Sequence, residues 1–151
     1  MLIPNDTLVL VGDGRKAIFL RNKGGAGHPE LIAERVMEKN NPATREQGTD
    51  RPGRYLGPDG TGRSATEETD WHQQAEDRFT AEVAQVLYKK AHDHEFERLI
   101  VVAPPRTLGT MRSALRKEVA QKVSAEIPKD LTSHALPEIA RLLKLEPSKN
   151  E

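Results

Sequence analysis

The chain has no cysteine in 151 residues. That excludes disulfides, thiolate zinc sites and a cysteine nucleophile, and it fits a reducing compartment. Aromatic residues make up only 4%, too few for a nucleic-acid platform of several stacked rings. An excess of one charge is missing as well. The 23 Lys and Arg balance the 23 Asp and Glu, so the net charge is zero. Any basic surface must be local rather than global. Long hydrophobic runs are also absent. Leu8–Val11 and Leu99–Ala103 fall far short of the roughly 20 residues that a membrane-crossing helix needs. Met1–Asn5 has no basic segment leading into an apolar run. Neither a secretory leader nor membrane insertion is expected, and a cytoplasmic location follows.

What is present reads as one solvated globular domain. Hydrophobic residues are 36% and charged residues 30%, and the length allows a sizeable core. Thr7–Gly12 is an apolar run that ends in the turn signal Gly12-Asp13-Gly14. Lys16–Arg21 follows and ends in Asn22-Lys23-Gly24-Gly25, so the two runs predict a hairpin. Glu30–Glu38 has helical propensity, but its position after a hairpin favours a third strand. From Lys39 to Asp70 the chain changes character, with Pro42, Gly48, Pro52, Gly53, Gly57, Pro58, Gly60 and Gly62. A loop of that length in a small domain is functional or disordered. Arg45, Arg51, Arg54 and Arg63 give it local positive character.

A helix is expected from Thr66 or Thr69, with Trp71, Ala75, Phe79, Val83, Val86 or Leu87 and Ala91 as one apolar stripe. Arg98–Ala103 is β-branched and predicts a buried central strand, stopped by Pro104-Pro105. Thr107 can cap the next helix, whose apolar side is Leu108, Met111, Leu115, Val119 and Val123. Lys122–Ile127 alternates as an edge-like strand. A last helix is expected over Ala135–Leu145, with Leu136, Ile139, Leu142 and Leu143 inward, capped by Thr132 or Ser133. Glu146–Glu151 reads as a frayed tail behind a single domain of residues 1–145. The order β-β-β-α-β-α-β-α predicts an α/β fold with a mixed five-stranded sheet and helices packed on it. The ribonuclease-H-like fold has this order.

Several positions carry candidate chemistry. Asp13 follows the first strand, where ribonuclease-H enzymes keep a metal-binding carboxylate, and Glu76 or Asp77 offers a second. Two-metal hydrolysis needs several carboxylates converging on both ions. The strand Leu99–Ala103 ends in Pro104-Pro105 without one, which favours a plain turn role for Asp13. Asp130 and His134 make an acid–base pair on one reading and a helix start on the other. His92 and His94, two apart, do not share a helical face. Gly24-Gly25-Ala26-Gly27 lacks the Gly-Lys-Ser/Thr ending and following helix of a phosphate loop. The densest basic surface is Arg106, Arg112, Arg116, Lys117, Lys122 and Lys129. Arg112 and Arg116, four apart, are expected on one helical face, either as a phosphate-contacting patch or as an ordinary solvated face. Trp71 and Phe79 are expected in the core rather than on a base-stacking surface. No metal and no cofactor is expected.

Four segments, taken together, resemble a known family. They are Gly12-Asp13-Gly14-Arg15-Lys16-Ala17-Ile18-Phe19, Gly62-Arg63-Ser64-Ala65, Val101-Val102-Ala103-Pro104-Pro105-Arg106-Thr107-Leu108-Gly109 and Lys129-Asp130-Leu131-Thr132. In this order they are similar to the bacterial family named for proteins required for attachment to host cells. That family is related to the middle domain of archaeal and eukaryotic class-1 release factors. The resemblance implies a ribonuclease-H-like domain and a relation to translation. Release factors of that lineage carry a Gly-Gly-Gln loop ahead of a long helix, and the loop reaches the peptidyl-transferase centre. Here the similar position reads Gly60-Thr61-Gly62-Arg63-Ser64-Ala65. Thr61 replaces the first glycine and Arg63 the glutamine. A guanidinium has no acceptor and cannot place a water as an amide does, but it suits a phosphate.

The expectation is therefore a binding module rather than an enzyme. Arg45, Arg51, Arg54, Gly62, Arg63, Ser64, Arg106, Arg112 and Arg116 would contact ribosomal RNA or tRNA. The alternative is a module that binds another protein and affects attachment indirectly. A vestigial hydrolase using Asp13 or Asp130 is third.

Overall fold

A computed structural model describes residues 1–39 and 63–147, with side chains in the second stretch from residue 69 onward. The first hairpin is β1 (Leu8–Gly12) and β2 (Lys16–Asn22), followed by β3 (Leu31–Glu38). The long helix α1 spans Arg63–His92. Then come β4 (Leu99–Val102), α2 (Pro105–Ala114), the short α3 (Lys117–Ala120), β5 (Val123–Ile127) and α4 (Leu136–Leu145). The five strands form one mixed sheet in the order β3-β2-β1-β4-β5. β1 pairs antiparallel with β2 and parallel with β4, and β4 pairs parallel with β5.

The central strands read as unbroken apolar runs because both faces of the sheet are covered. Leu8, Leu10, Phe19, Leu99 and Val101 pack under α1, α2 and α3, against Phe79, Val83, Leu87, Leu108, Met111 and Val119. Their sequence neighbours Val9, Val11, Ile18, Leu20, Ile100 and Val102 point the other way, onto Ile139, Ala140 and Leu143 of α4. The third strand forms as position predicted, with a bulge opposite Phe19/Leu20.

Four local expectations are corrected. Of the loop expected over 39–70, residues 63–70 belong to α1, which begins at Arg63 rather than at Thr66 or Thr69. Arg63–His92 contains no Gly or Pro, so nothing there stops the helix. The cap of α2 is Pro104 rather than Thr107, with Pro105 in the first turn, where its missing N–H is no loss. The expected continuous stripe Leu108–Val123 breaks at Leu115, which is extended at ψ 134°, and resumes in α3. Finally, α4 is preceded by Ala135 without a side-chain cap, and neither Thr132 nor Ser133 caps it.

One partly buried ion pair ties the sheet edge to the N-terminal segment. Arg21, only 6% exposed, donates from Nε and Nη2 to both oxygens of Glu34 at 3.1 and 3.0 Å, and from Nη1 to the Asp6 carbonyl at 3.1 Å. The Arg21 hydrogen bonds hold the Glu34 carboxyl below the ordinary range, opposed by partial burial and helped by the positive charge of Arg21. A depressed folded pKa means stability that is present above the unfolded carboxyl value and lost as pH falls through the folded one. Acid titration should therefore show Glu34→Gln losing part of the parent's pH dependence below about pH 4.3. An unchanged acid limb would sink this assignment.

Candidate functional site

Because β1, β4 and β5 run parallel, their carboxyl ends share one sheet edge. In open α/β sheets ligands bind outside that edge. Asp13 follows β1, Pro104 follows β4 and Asp130 follows β5. The Gly12–Lys16 turn is built by Asp13, whose Oδ1 accepts from the backbone N–H of Arg15 and Lys16 at 2.9 and 2.8 Å. Gly14 completes it at φ +94°, and a Cβ there would lie 3.0 Å from the Glu76 carboxylate. The turn is held against α1 by Arg15, whose Nε lies 3.5 Å from Glu76.

The two aspartates singled out in the sequence meet at this edge. The Thr132 hydroxyl lies 2.6 Å from Asp130 Oδ1 and 3.3 Å from Asp13 Oδ2. One hydroxyl carries one proton, so the shorter contact takes the donated bond. Asp130 Oδ1 also accepts from the Thr132 N–H at 3.0 Å. Asp130 thus closes a local turn, and among the described residues nothing joins it to the imidazole of His134. The backbone N–H of His134 instead bonds Leu131 O. The carboxylates are occupied as structural acceptors. Among the described residues, no group of three or more His, Asp or Glu side chains is placed to hold a metal ion. Asp13→Asn should therefore be nearly neutral in thermal melts, since an amide oxygen still accepts both N–H groups. Asp13→Ala should cost about 1–2 kcal/mol. Equal losses in the two variants would contradict the turn role.

The expected basic face is redistributed. The break at Leu115 removes Arg112 and Arg116 from a common helical face. Arg112 forms a two-pronged pair with Glu126 of β5, which raises its pKa further through that hydrogen bond and charge. Arg116 lies over the ring of Tyr88 at 4.3 Å. Lys129 pairs with Glu146. Arg106 is exposed on the first turn of α2. Arg45, Arg51, Arg54 and Gly62 lie outside the described residues, and of Arg63 and Ser64 only the helical backbone is described. His92 stacks on Tyr88, with centroids 6.0 Å apart.

The expected core position of Trp71 is also corrected. Trp71 is 43% exposed, and its ring meets His72 edge-on at 5.6 Å, whereas Phe79 is buried. None of residues 69–78 is buried. The core therefore grips α1 from Phe79 onward, and the helix runs on past it towards Arg63.

A mixed five-stranded sheet, a hairpin first and a long helix reaching beyond the core suit the resemblance drawn from the sequence. Residues 6–143 match the family described as bacterial archaeo-eukaryotic release factor family 12. The chain belongs to that family. No curated protein matches the chain. Within this release-factor-related domain, Arg15 and Gly14 of the Asp13 turn meet α1 at Glu76, and Thr132 lies against the other side of that turn. The missed element is Thr132, whose part in the site depends on a contact between chain segments far apart in sequence.

Proposed function

We propose that this member of the release-factor-related family is a non-enzymatic, cytoplasmic module that contacts ribosomal RNA or tRNA. The observation that carries this reading is α1 itself. It is 30 residues long and starts at Arg63, directly after the Arg- and Gly-rich stretch, in the place where release factors present their ribosome-reaching loop. A guanidinium there favours phosphate contact over peptidyl-tRNA hydrolysis. Among the described residues no helix is long and apolar enough to cross a membrane.

The test is co-sedimentation of the full chain with ribosomes and with tRNA across a salt series. Binding should weaken steeply with salt, and Arg63→Ala should lower the slope by about one phosphate contact. No association of the folded protein at low salt would refute the reading. So would divalent-metal-dependent nuclease activity that Asp13→Asn abolishes.

A second reading is supported by a groove of about 580 Å³ beside the edge strand β5, lined by Val123, Ala125, Ile127 and Pro147 with Glu126 and Glu146. An extended segment of another protein could add to such an edge. Its binding would weaken with salt far less steeply than phosphate contacts do. An influence on host-cell attachment, as the resemblance suggests, would then be a downstream effect.

A further inference from the structure

We infer that Trp71, Gln74 and Arg78 form a stripe on α1 that takes a single-stranded RNA segment, with a nucleobase stacked on Trp71 and a phosphate on Arg78. This rests on the RNA reading above and deepens it. Seven residues advance an α-helix by within about 20° of two full turns, so Trp71 and Arg78 lie on the same side, roughly 10 Å apart along the axis. Gln74 sits between them on the same flank. All three are exposed. The residues one step round the helix are not: His72 is half-buried and Phe79 is buried. The stripe therefore lies beside the face that enters the core rather than on it.

The chemistry of the three side chains is complementary to a nucleotide strand. An indole face stacks on any base, an amide can pair with a base edge, and a guanidinium binds phosphate. Arg78 makes no ion pair among the described residues. The carboxylates nearest Arg78 are already engaged, Glu82 with Lys39 among them. Glu76 faces Arg15, and Asp77 accepts from Gln73 at 3.0 Å and Thr110 at 3.4 Å. Asp70 is exposed beside Trp71, which assigns the phosphate to the Arg78 end. Roughly 10 Å is also within the span of adjoining nucleotides in an extended strand. Few aromatic residues exclude a multi-ring platform but leave room for one ring flanked by polar groups.

Trp71 is the sole tryptophan of the chain, so selectively excited indole emission reads this stripe alone. The experiment titrates the full chain with single-stranded oligoadenylate and oligouridylate, and separately with ribosomes. Saturable quenching by the oligonucleotides is expected at low salt. By anisotropy of a labelled oligonucleotide, Trp71→Ala should lose about five- to one-hundred-fold in affinity, and Trp71→Phe should regain most of it. Arg78→Ala should lower the salt slope by about one. Circular dichroism should show all three variants folded, since the positions are exposed. Unchanged affinity in Trp71→Ala, with RNA binding intact, would overturn the stacking stripe while leaving the RNA reading standing. Quenching by ribosomes but by neither oligonucleotide would overturn the nucleobase as occupant and point to a protein. Absence of any binding would overturn both readings.

Discussion

Phe19→Ala should destabilise the protein by about 3–5 kcal/mol, the range for removing a buried aromatic ring. Phe19 is fully buried at the middle of β2. Its neighbours in register are Leu10 on β1 and Arg35 on β3, next to the bulge. Its ring belongs to the cluster closed by Phe79, Val83 and Leu87 of α1, and the Lys90 ammonium lies 5.9 Å from its centroid. Alanine would leave a cavity between sheet and helix, and two rigid elements can collapse into it only partly. Single domains are stable by about 5–15 kcal/mol, so the variant should keep its fold with a markedly lower urea midpoint and a similar m-value. Phe19→Leu should cost less than Phe19→Ala, because more of the packing is kept. A loss under about 1 kcal/mol for alanine would mean that α1 does not close this face.

The strands were legible because burial on both faces forces near-continuous Leu, Ile and Val, as in Leu8–Val11 and Leu99–Val102. Trp71 misled for a geometric reason. A spacing of four advances a helix by 400°, so each step drifts about 40° and two steps from Phe79 carry Trp71 about 80° off the buried face. Leu115 carries no local signal for a break: no Gly or Pro marks it, yet the chain extends there and α3 then buries Val119 completely. At the site, Gly12-Asp13-Gly14 announced its own turn. The Thr132 link to Asp13 did not, because it spans 119 positions and depends on β1 and β5 ending at one edge. The pairing of Arg112 with Glu126 was likewise invisible, since it needs the strand and the helix placed side by side.

The other large effect is expected at Asn22, which is fully buried at the end of β2. Its Nδ2 donates to the Ile3 carbonyl at 2.7 Å, and its Oδ1 accepts from the N–H of Gly24 and of Glu30, both at 2.9 Å. One amide thus ties the N-terminal segment to both ends of the β2–β3 connection, while its own backbone bonds Thr7 and Asp6. Asn22→Leu would strand two donors and an acceptor where partners are few. At about 1–3 kcal/mol for each unsatisfied buried group, the loss should exceed about 3 kcal/mol. Asn22→Asp separates the two halves of the argument. The carboxylate still accepts from Gly24 and Glu30 but now faces the Ile3 carbonyl without a proton to donate. The two N–H bonds favour the charged form, but burial and the facing Ile3, Pro4 and Gly25 carbonyls are expected to outweigh them and raise the folded pKa, so its stability should be best in acid and fall as pH rises above the unfolded carboxyl pKa. Chemical denaturation of the parent and both variants from acid to neutral pH checks this. If Asn22→Leu stays within about 1 kcal/mol of the parent, these side-chain bonds are not what holds the two segments together.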